Sequence, residues 1–261
     1  MLRCSIVLPI QRRQVLQDYL ARHGGCTIKE LSVHFGVSEM TIRRDLEFLG
    51  KQGSIARAHG GAIHVDKLYG EPALPDKQAR NPEVKEKLAA YAVQRFVSDG
   101  DVLILEGGTT VTRMASYFTQ SQLTLMTNGM DALQQLRSLA GRHTVLCCGG
   151  MLREPSGTFV GPEAEAYFAR YHARTAFLSS LSFTLEAGFT DPNLMDTQVK
   201  KAMIQSAERT IMLLDSSKIG SRSFATVARL DEISALVTDS GVPEHVREAC
   251  ELMNCELHVV E

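Results

Sequence analysis

A chain of 261 residues, 44% hydrophobic and 22% charged, has the composition of an ordinary globular protein with room for one small and one medium domain. Its net charge of -2 conceals an asymmetry: residues 1–63 carry nine Lys and Arg against five Asp and Glu, a balance of +4, while the remainder is -6, so contact with nucleic acid is expected at one end only. No apolar run approaches membrane-spanning length and the stretch before Ile10 is too short for a signal sequence, which predicts a soluble, cytoplasmic protein and excludes an integral membrane one.

The spacing predicts a first helix over residues 11–22, with Val15, Leu16 and Leu20 facing inward. Thr27 can cap a short second helix whose apolar positions are Ile28, Leu31 and Phe35, and Gly36 breaks it. Ser38 then caps a third helix, and Glu39 in its first turn suits the positive end of the helix dipole. Ile42, Leu46 and Leu49 recur at i, i+4 and i+7 as one apolar stripe, with Met40 and Arg44 opposite and Thr41 and Arg43 on its flanks. Two short amphipathic helices around a glycine turn are the parts of a helix-turn-helix, whose second helix meets base edges in a major groove. Gly53 should stop that helix, and residues 55–63 alternate like a small hairpin carrying Arg57 and His59, a wing against phosphate or the minor groove. A plain three-helix packing module with a solvated charged face is the competing reading.

Periodicity lapses over residues 64–81, where Pro72 and Pro75 punctuate a polar stretch that reads as a linker. Helix returns near Lys85, with Leu88, Ala92 and Phe96 on one side. From Val102 the chain repeats a unit of apolar strand, Gly/Ser/Thr/Asn turn and helix, through Thr127-Asn128-Gly129, Gly149-Gly150 and residues 215–220 to a last strand over 257–260. Continuous apolar strands alternating with helices predict a doubly wound, mostly parallel α/β domain, in which ligands sit outside the carboxyl ends of the strands. Six cysteines form no CxxC pair and no zinc-type cluster, and Cys147-Cys148 fall in what reads as a buried strand, which assigns them to packing and leaves no metal site.

The turn Gly107-Gly108-Thr109-Thr110 lies at one of those strand ends. Its glycines allow close backbone approach, its threonines offer hydroxyls, and a helix start after it would face an anion. A tight turn with an ordinary cap has the same look. Lys200, on a helix, and Lys218, in a Ser-rich turn after a strand, are each solvated surface charges by default, yet with the glycine turn they point to a small phosphorylated, polyol-like ligand.

Residues from about Ile10 to Ile63 resemble the winged helix of the DeoR family of bacterial transcriptional regulators, through Phe35-Gly36-Val37-Ser38, Thr41-Ile42-Arg43-Arg44-Asp45-Leu46 and Arg57-Ala58-His59-Gly60-Gly61-Ala62. From about Pro82 onward the chain is similar to the DeoR sensor domain, a fold related to ribose-5-phosphate isomerase, in Leu105 to Thr110, Thr127-Asn128, Gly149-Gly150, Gly161-Pro162, Gly188-Phe189-Thr190, Val199-Lys200 and Asp215-Ser216-Ser217-Lys218. DNA contact is expected from Thr27, Ser38, Glu39, Met40, Thr41, Arg43, Arg44, Arg57 and His59. The resemblance implies Gly108, Thr109 and Thr110 for the phosphate of a sugar-phosphate effector and Asn128, Lys200 and Lys218 for the rest of the pocket, and Glu106, Gly107, Gly150 and Asp196 are expected to line it beside them. Three departures stand out: Glu106 where the family commonly has Asp, Asp196 where it has Glu, and Ser179-Ser180-Leu181-Ser182-Phe183 where an Asp-Gly pair is usual.

These readings lead to a repressor of a carbohydrate-metabolism operon, a homo-oligomer (dimer or tetramer) without cofactor, whose operator affinity is set by a phosphorylated sugar. A sugar-phosphate isomerase carrying a helical appendage is the alternative. It needs a positioned carboxylate, and although Glu106 and Asp196 are present, Leu181 stands where an acid would be expected.

Overall fold

The computed structural model describes residues 9–23, 25–51, 55–58, 61–64 and 71–261. The chain divides into two compact units, residues 1–71 and 72–261.

The first unit contains α1 (Pro9–His23), β1 (Gly25–Thr27), α2 (Ile28–Phe35), α3 (Glu39–Lys51), β2 (Ile55–Ala58) and β3 (Gly61–His64). Its core gathers Leu16 and Leu20 from α1, Ile28, Leu31 and Phe35 from α2, and Ile42, Leu46 and Leu49 from α3, all at 7% exposure or less. Val15 departs from expectation. It is 51% exposed, because one residue before Leu16 lies about 100° around the helix from the buried stripe. β2 and β3 form the antiparallel hairpin, Arg57 opposite Ala62, and β1 adds a third strand alongside β3. Gly53 and His59 lie outside the described residues.

The second unit opens with a short helix, α4 (Leu74–Ala79), inside the stretch read as linker, and α5 (Pro82–Phe96). There follow β4 (Val102–Leu105), a 3-10 turn (Val111–Ser116), β5 (Thr124–Thr127), α6 (Met130–Leu136), β6 (Thr144–Cys147), β7 (Met151–Arg153), β8 (Thr158–Val160), α7 (Pro162–Phe168) and β9 (Ala173–Leu178). After them come β10 (Ser182–Thr184), β11 (Gly188–Asp191), α8 (Leu194–Gln205), β12 (Ala207–Leu213), β13 (Ala225–Ala228), β14 (Ala235–Asp239), α9 (Glu244–Leu252) and β15 (Glu256–Val260).

Seven of these strands make one parallel sheet in the order β15-β14-β12-β9-β4-β5-β6. Alternate side chains of each strand serve different cores. Ile104, Met126, Ala176, Leu178 and Met212 pack with α7, α8 and α9, whereas Leu103, Leu105, Leu125, Phe177 and Ile211 pack with α5 and the 3-10 turn. The order also fixes where a crevice opens: winding runs outward from β4 to β6 on one side and from β9 to β15 on the other, so direction reverses between adjacent β4 and β9.

Two expectations are corrected here. The segment after Thr110, expected as a helix, buries Val111, Met114, Ala115 and Phe118 but forms a six-residue 3-10 turn rather than an α-helix, since Thr109, Thr110, Val111 and Thr112 are successive β-branched residues that crowd an α-helical turn. The strand holding Cys147 is the sheet edge and only half-buried, because no strand covers its outer side.

Candidate functional site

On the first unit the exposed side of α3 is the candidate interface. Ser38 Oγ accepts from Thr41 N (3.2 Å) and lies 2.9 Å from Thr41 Oγ1, so the two hydroxyls form the N-cap together. Met40 is 60% exposed and Arg44 is exposed beside it. Arg43 and Glu39 form a loose i, i+4 ion pair at 3.8 Å. Thr27 is occupied in a capping box on α2, its Oγ1 accepting from Glu30 N (3.2 Å) while its own N–H donates to Glu30 Oε2 (2.8 Å). Arg57 sits on β2. The sequence reading missed how α3 is aimed: Asp45, 1% exposed, accepts from Nε of Arg12 (2.6 Å) and Nε of Arg13 (2.8 Å), tying α3 to α1. An acid embedded among the apolar positions of α3 was the available signal.

On the second unit the crevice between β4 and β9 gathers the other set. Glu106 follows β4, and its Oε2 accepts from Ser179 N (3.3 Å) and Ser179 Oγ (3.0 Å) at the end of β9. Lys200 Nζ, reaching in from α8, lies 3.1 Å from Glu106 Oε1 and donates to Asp191 Oδ2 (2.6 Å) and Ser179 O (2.7 Å). Burial works against this ammonium, but Asp191 and Glu106 outweigh it and hold its pKa above the ordinary lysine range. Asp191 also accepts from Leu181 N (2.7 Å), so the serine-rich segment is bound into the cluster and β11 supplies an acid to it. Lys218 Nζ donates to Ser180 O (2.9 Å) and lies 3.7 Å from Asp215 Oδ2; burial pushes its pKa down.

The glycine turn joins this crevice through β5. Gly107 N donates to Asn128 Oδ1 (2.9 Å), and Asn128 Nδ2 donates to Phe159 O (3.3 Å). The close approach that Gly107 permits is to Gly129: a Cβ at Gly107 would stand 2.6 Å from Gly129 Cα and 2.8 Å from Thr158 Cγ2. Thr109 is half-buried, and the Thr110 hydroxyl is buried with no hydrogen-bond partner among the described residues. Gly150 precedes the neighbouring β7/β8 hairpin, and Asp196, in the first turn of α8, is bound to that hairpin. A Cβ at Gly150 would meet Val160 O at 2.8 Å, and Asp196 accepts from Arg153 Nη1 (3.0 Å) and Thr158 Oγ1 (2.5 Å).

Lys85 was not foreseen. Only 2% exposed near the start of α5, it donates to Lys77 O, and burial first, then the charge of Lys218, lowers its pKa to about 8. Asn81 Nδ2 donates to Asp215 at 3.0 Å. Lys200 and Lys218 thus meet Glu106, Asp191 and Asp215 at the strand ends, a charge pattern suited to an anion bearing hydroxyl groups. Among the described residues no group of three or more His, Cys, Asp or Glu is placed to hold a metal ion, and no helix is long and apolar enough to cross a membrane.

Family models match both units: residues 12–67 match the DeoR-like helix-turn-helix domain and residues 80–240 the DeoR C terminal sensor domain. The chain belongs to the DeoR family. It is 36% identical over 236 residues to YulB, an uncharacterized HTH-type transcriptional regulator of Bacillus subtilis, covering 90% of this chain and 91% of that one. It is 32% identical to the HTH-type transcriptional regulator GlpR of Haloferax volcanii (94% and 95% covered) and 33% identical to the putative aga operon transcriptional repressor of Escherichia coli O157:H7 (96% and 93% covered). Ribose 5-phosphate isomerase A of Methanocaldococcus jannaschii overlays 53% of the chain and 55% of its own at 17% identity and a TM-score of 0.37, too loose to assign anything. This DeoR-family chain is a DNA-binding transcriptional regulator with a sensor domain, not an enzyme.

Proposed function

We propose that this regulator is a cytoplasmic repressor of a carbohydrate-metabolism operon, and that a phosphorylated sugar in the β4/β9 crevice sets its operator affinity. The observation that carries the reading is the convergence of Lys200 and Lys218 on a crevice that also holds Glu106, Asp191 and Asp215. Ammonium groups suit a phosphate, and carboxylates and the Asn128 amide suit sugar hydroxyls. The Thr110 hydroxyl, buried without a partner, adds a donor beside the glycine turn. One relative is named as a putative aga operon transcriptional repressor, which supports the repressor reading.

The DNA contacts in this reading come from Ser38, Met40, Thr41, Arg43 and Arg44 on α3, with Glu39 orienting Arg43, Thr27 at the start of α2, and Arg57 and His59 on the wing. One small winged helix reads few base pairs, so the repressor works as a homo-oligomer whose heads meet half-sites about 10 bp, or a multiple, apart.

Thermal shift of the full chain against pentose and hexose phosphates, their unphosphorylated sugars and inorganic phosphate tests the effector. One sugar phosphate should stabilise the second unit by about 2.7 kcal/mol at 100 times its Kd, and its parent sugar should not. If no phosphorylated sugar moves either transition, the effector reading fails while DNA binding stands.

A further inference from the structure

Two arginines of α1 share one acid of α3, and they share it unequally. Asp45 accepts from Nε of Arg12 at 2.6 Å and from Nε of Arg13 at 2.8 Å. One carboxylate against two guanidinium groups leaves a positive charge over, since arginine stays protonated. Arg13 is the more open of the two, its side chain 26% exposed against 16% for Arg12. Its guanidinium carbon also lies 4.0 Å from the centroid of the Phe48 ring, a stacked position that fixes the plane of the group. Among the described residues neither Nη of Arg13 has a hydrogen-bond acceptor; Asp45 takes Nε alone.

Phe48 sets where this group stands. Its ring is 42% exposed, and it follows Arg44 by four residues and Thr41 by seven along α3. That spacing puts all three on one flank of the helix. Arg13 thereby carries α1 to the border of the candidate DNA interface.

We propose that Arg13 is a phosphate-binding residue of the DNA interface, presented by α1 and held by Asp45 and Phe48. The two Nη groups of a fixed guanidinium can donate in parallel to two oxygens of one backbone phosphate. Fixing the group before DNA arrives spares the rotamer freedom that a loose arginine surrenders on binding. Arg12, more enclosed, keeps Asp45 paired while Arg13 engages the duplex. Such a contact reads no base; it sets the register in which α3 enters the groove.

Salt dependence of full-chain binding to a random-sequence duplex tests this, because a phosphate contact needs no operator. Arg13→Ala should lower the slope of log affinity against log salt by about 0.9, and the affinity by about 5- to 10-fold near 0.1 M salt. Arg13→Lys keeps the charge and should restore most of the slope. Arg12→Ala should keep the native slope. Weaker binding of Arg13→Ala with an unchanged slope would make Arg13 a brace for α3 and overturn the assignment. An equal fall in slope for Arg12→Ala would overturn it too, and so would an Arg13→Ala chain that binds like the native one. Loss of binding in Arg44→Ala beside that last result would leave α3 at the interface and remove Arg13 alone. Should a variant fail to fold, the native chain decides: phenylglyoxal should label Arg13 in the free chain, and saturating duplex should block it. Labelling that the duplex leaves unchanged overturns the proposal.

Discussion

Lys200 Nζ sits 3.1 Å from Glu106 Oε1, which locks α8 to the carboxyl end of β4 across the line where the sheet reverses its winding. The ammonium also carries Asp191, so its loss strands two buried carboxylates. Lys200→Met should therefore cost the second unit about 3–5 kcal/mol, read by chemical denaturation. Adding Glu106→Gln should recover part of the loss. Equal stability of Lys200→Met and the native chain would mean the pair is held by solvent and not by burial.

Gly107 and Gly129 meet backbone to backbone. Gly107→Ala places a methyl 2.6 Å from Gly129 Cα and should lower stability by about 1–3 kcal/mol, with a matching drop in Tm. Gly141→Ala is the control, since nothing lies within 4 Å of its Cβ position, and it should change little.

Lys85 gives a pH signature. Its pKa is about 8 in the folded chain against 10.5 when unfolded. Below pH 8 it is charged in both states and the burial penalty is fully present. Between the two values the unfolded state binds more protons, so rising pH favours the folded state. Denaturation free energies of native and Lys85→Met chains should converge or cross in the native chain's favour by about 1–2 kcal/mol from pH 7 to about 9.5. A pH-independent difference would place the ammonium in water.

Asp45→Ala leaves Arg12 and Arg13, both partly solvated, without their shared acid. The first unit should lose about 1–3 kcal/mol and the second none, so the thermal transition of the first unit alone should move down. Operator affinity should fall with the aim of α3 even though Asp45 itself faces the core.

Arg44→Ala should weaken operator binding by about 1–3 kcal/mol, with specificity relaxed at one position, if the guanidinium reads a base edge. Loss spread evenly over all sequences, with a shallower salt dependence, would assign it to phosphate.

The helix-turn-helix was legible because its signal is local: Ile42, Leu46 and Leu49 recur within about two turns, and Thr27 and Ser38 each stand at the start of the helix they cap. The parallel strands were legible as apolar runs for the same reason. Lys200 and Lys218 could be picked out beside strand ends, but their partners could not. Asp191 sits on β11, part of an antiparallel excursion with β10 and β13 that carries no distinctive periodicity and pairs across a long stretch of sequence. Lys85 did leave a trace. It stands three residues before Leu88, on the same stripe as Ala89, Ala92 and Phe96, and a cation on an apolar stripe announces a buried charge. The edge position of Cys147 was invisible, since an edge strand and a central one of four residues read alike.

The reversal between β4 and β9 also governs when the crevice comes into being during synthesis. Its groups are dispersed from Glu106 to Lys218, and β9 reaches its place beside β4 only after β5, β6 and α7 have been made. A ribosome that has released only the glycine turn has produced no receptor for any metabolite. Such long-range closure slows folding, so a nascent regulator acquires its DNA-reading head well before it can hear a signal.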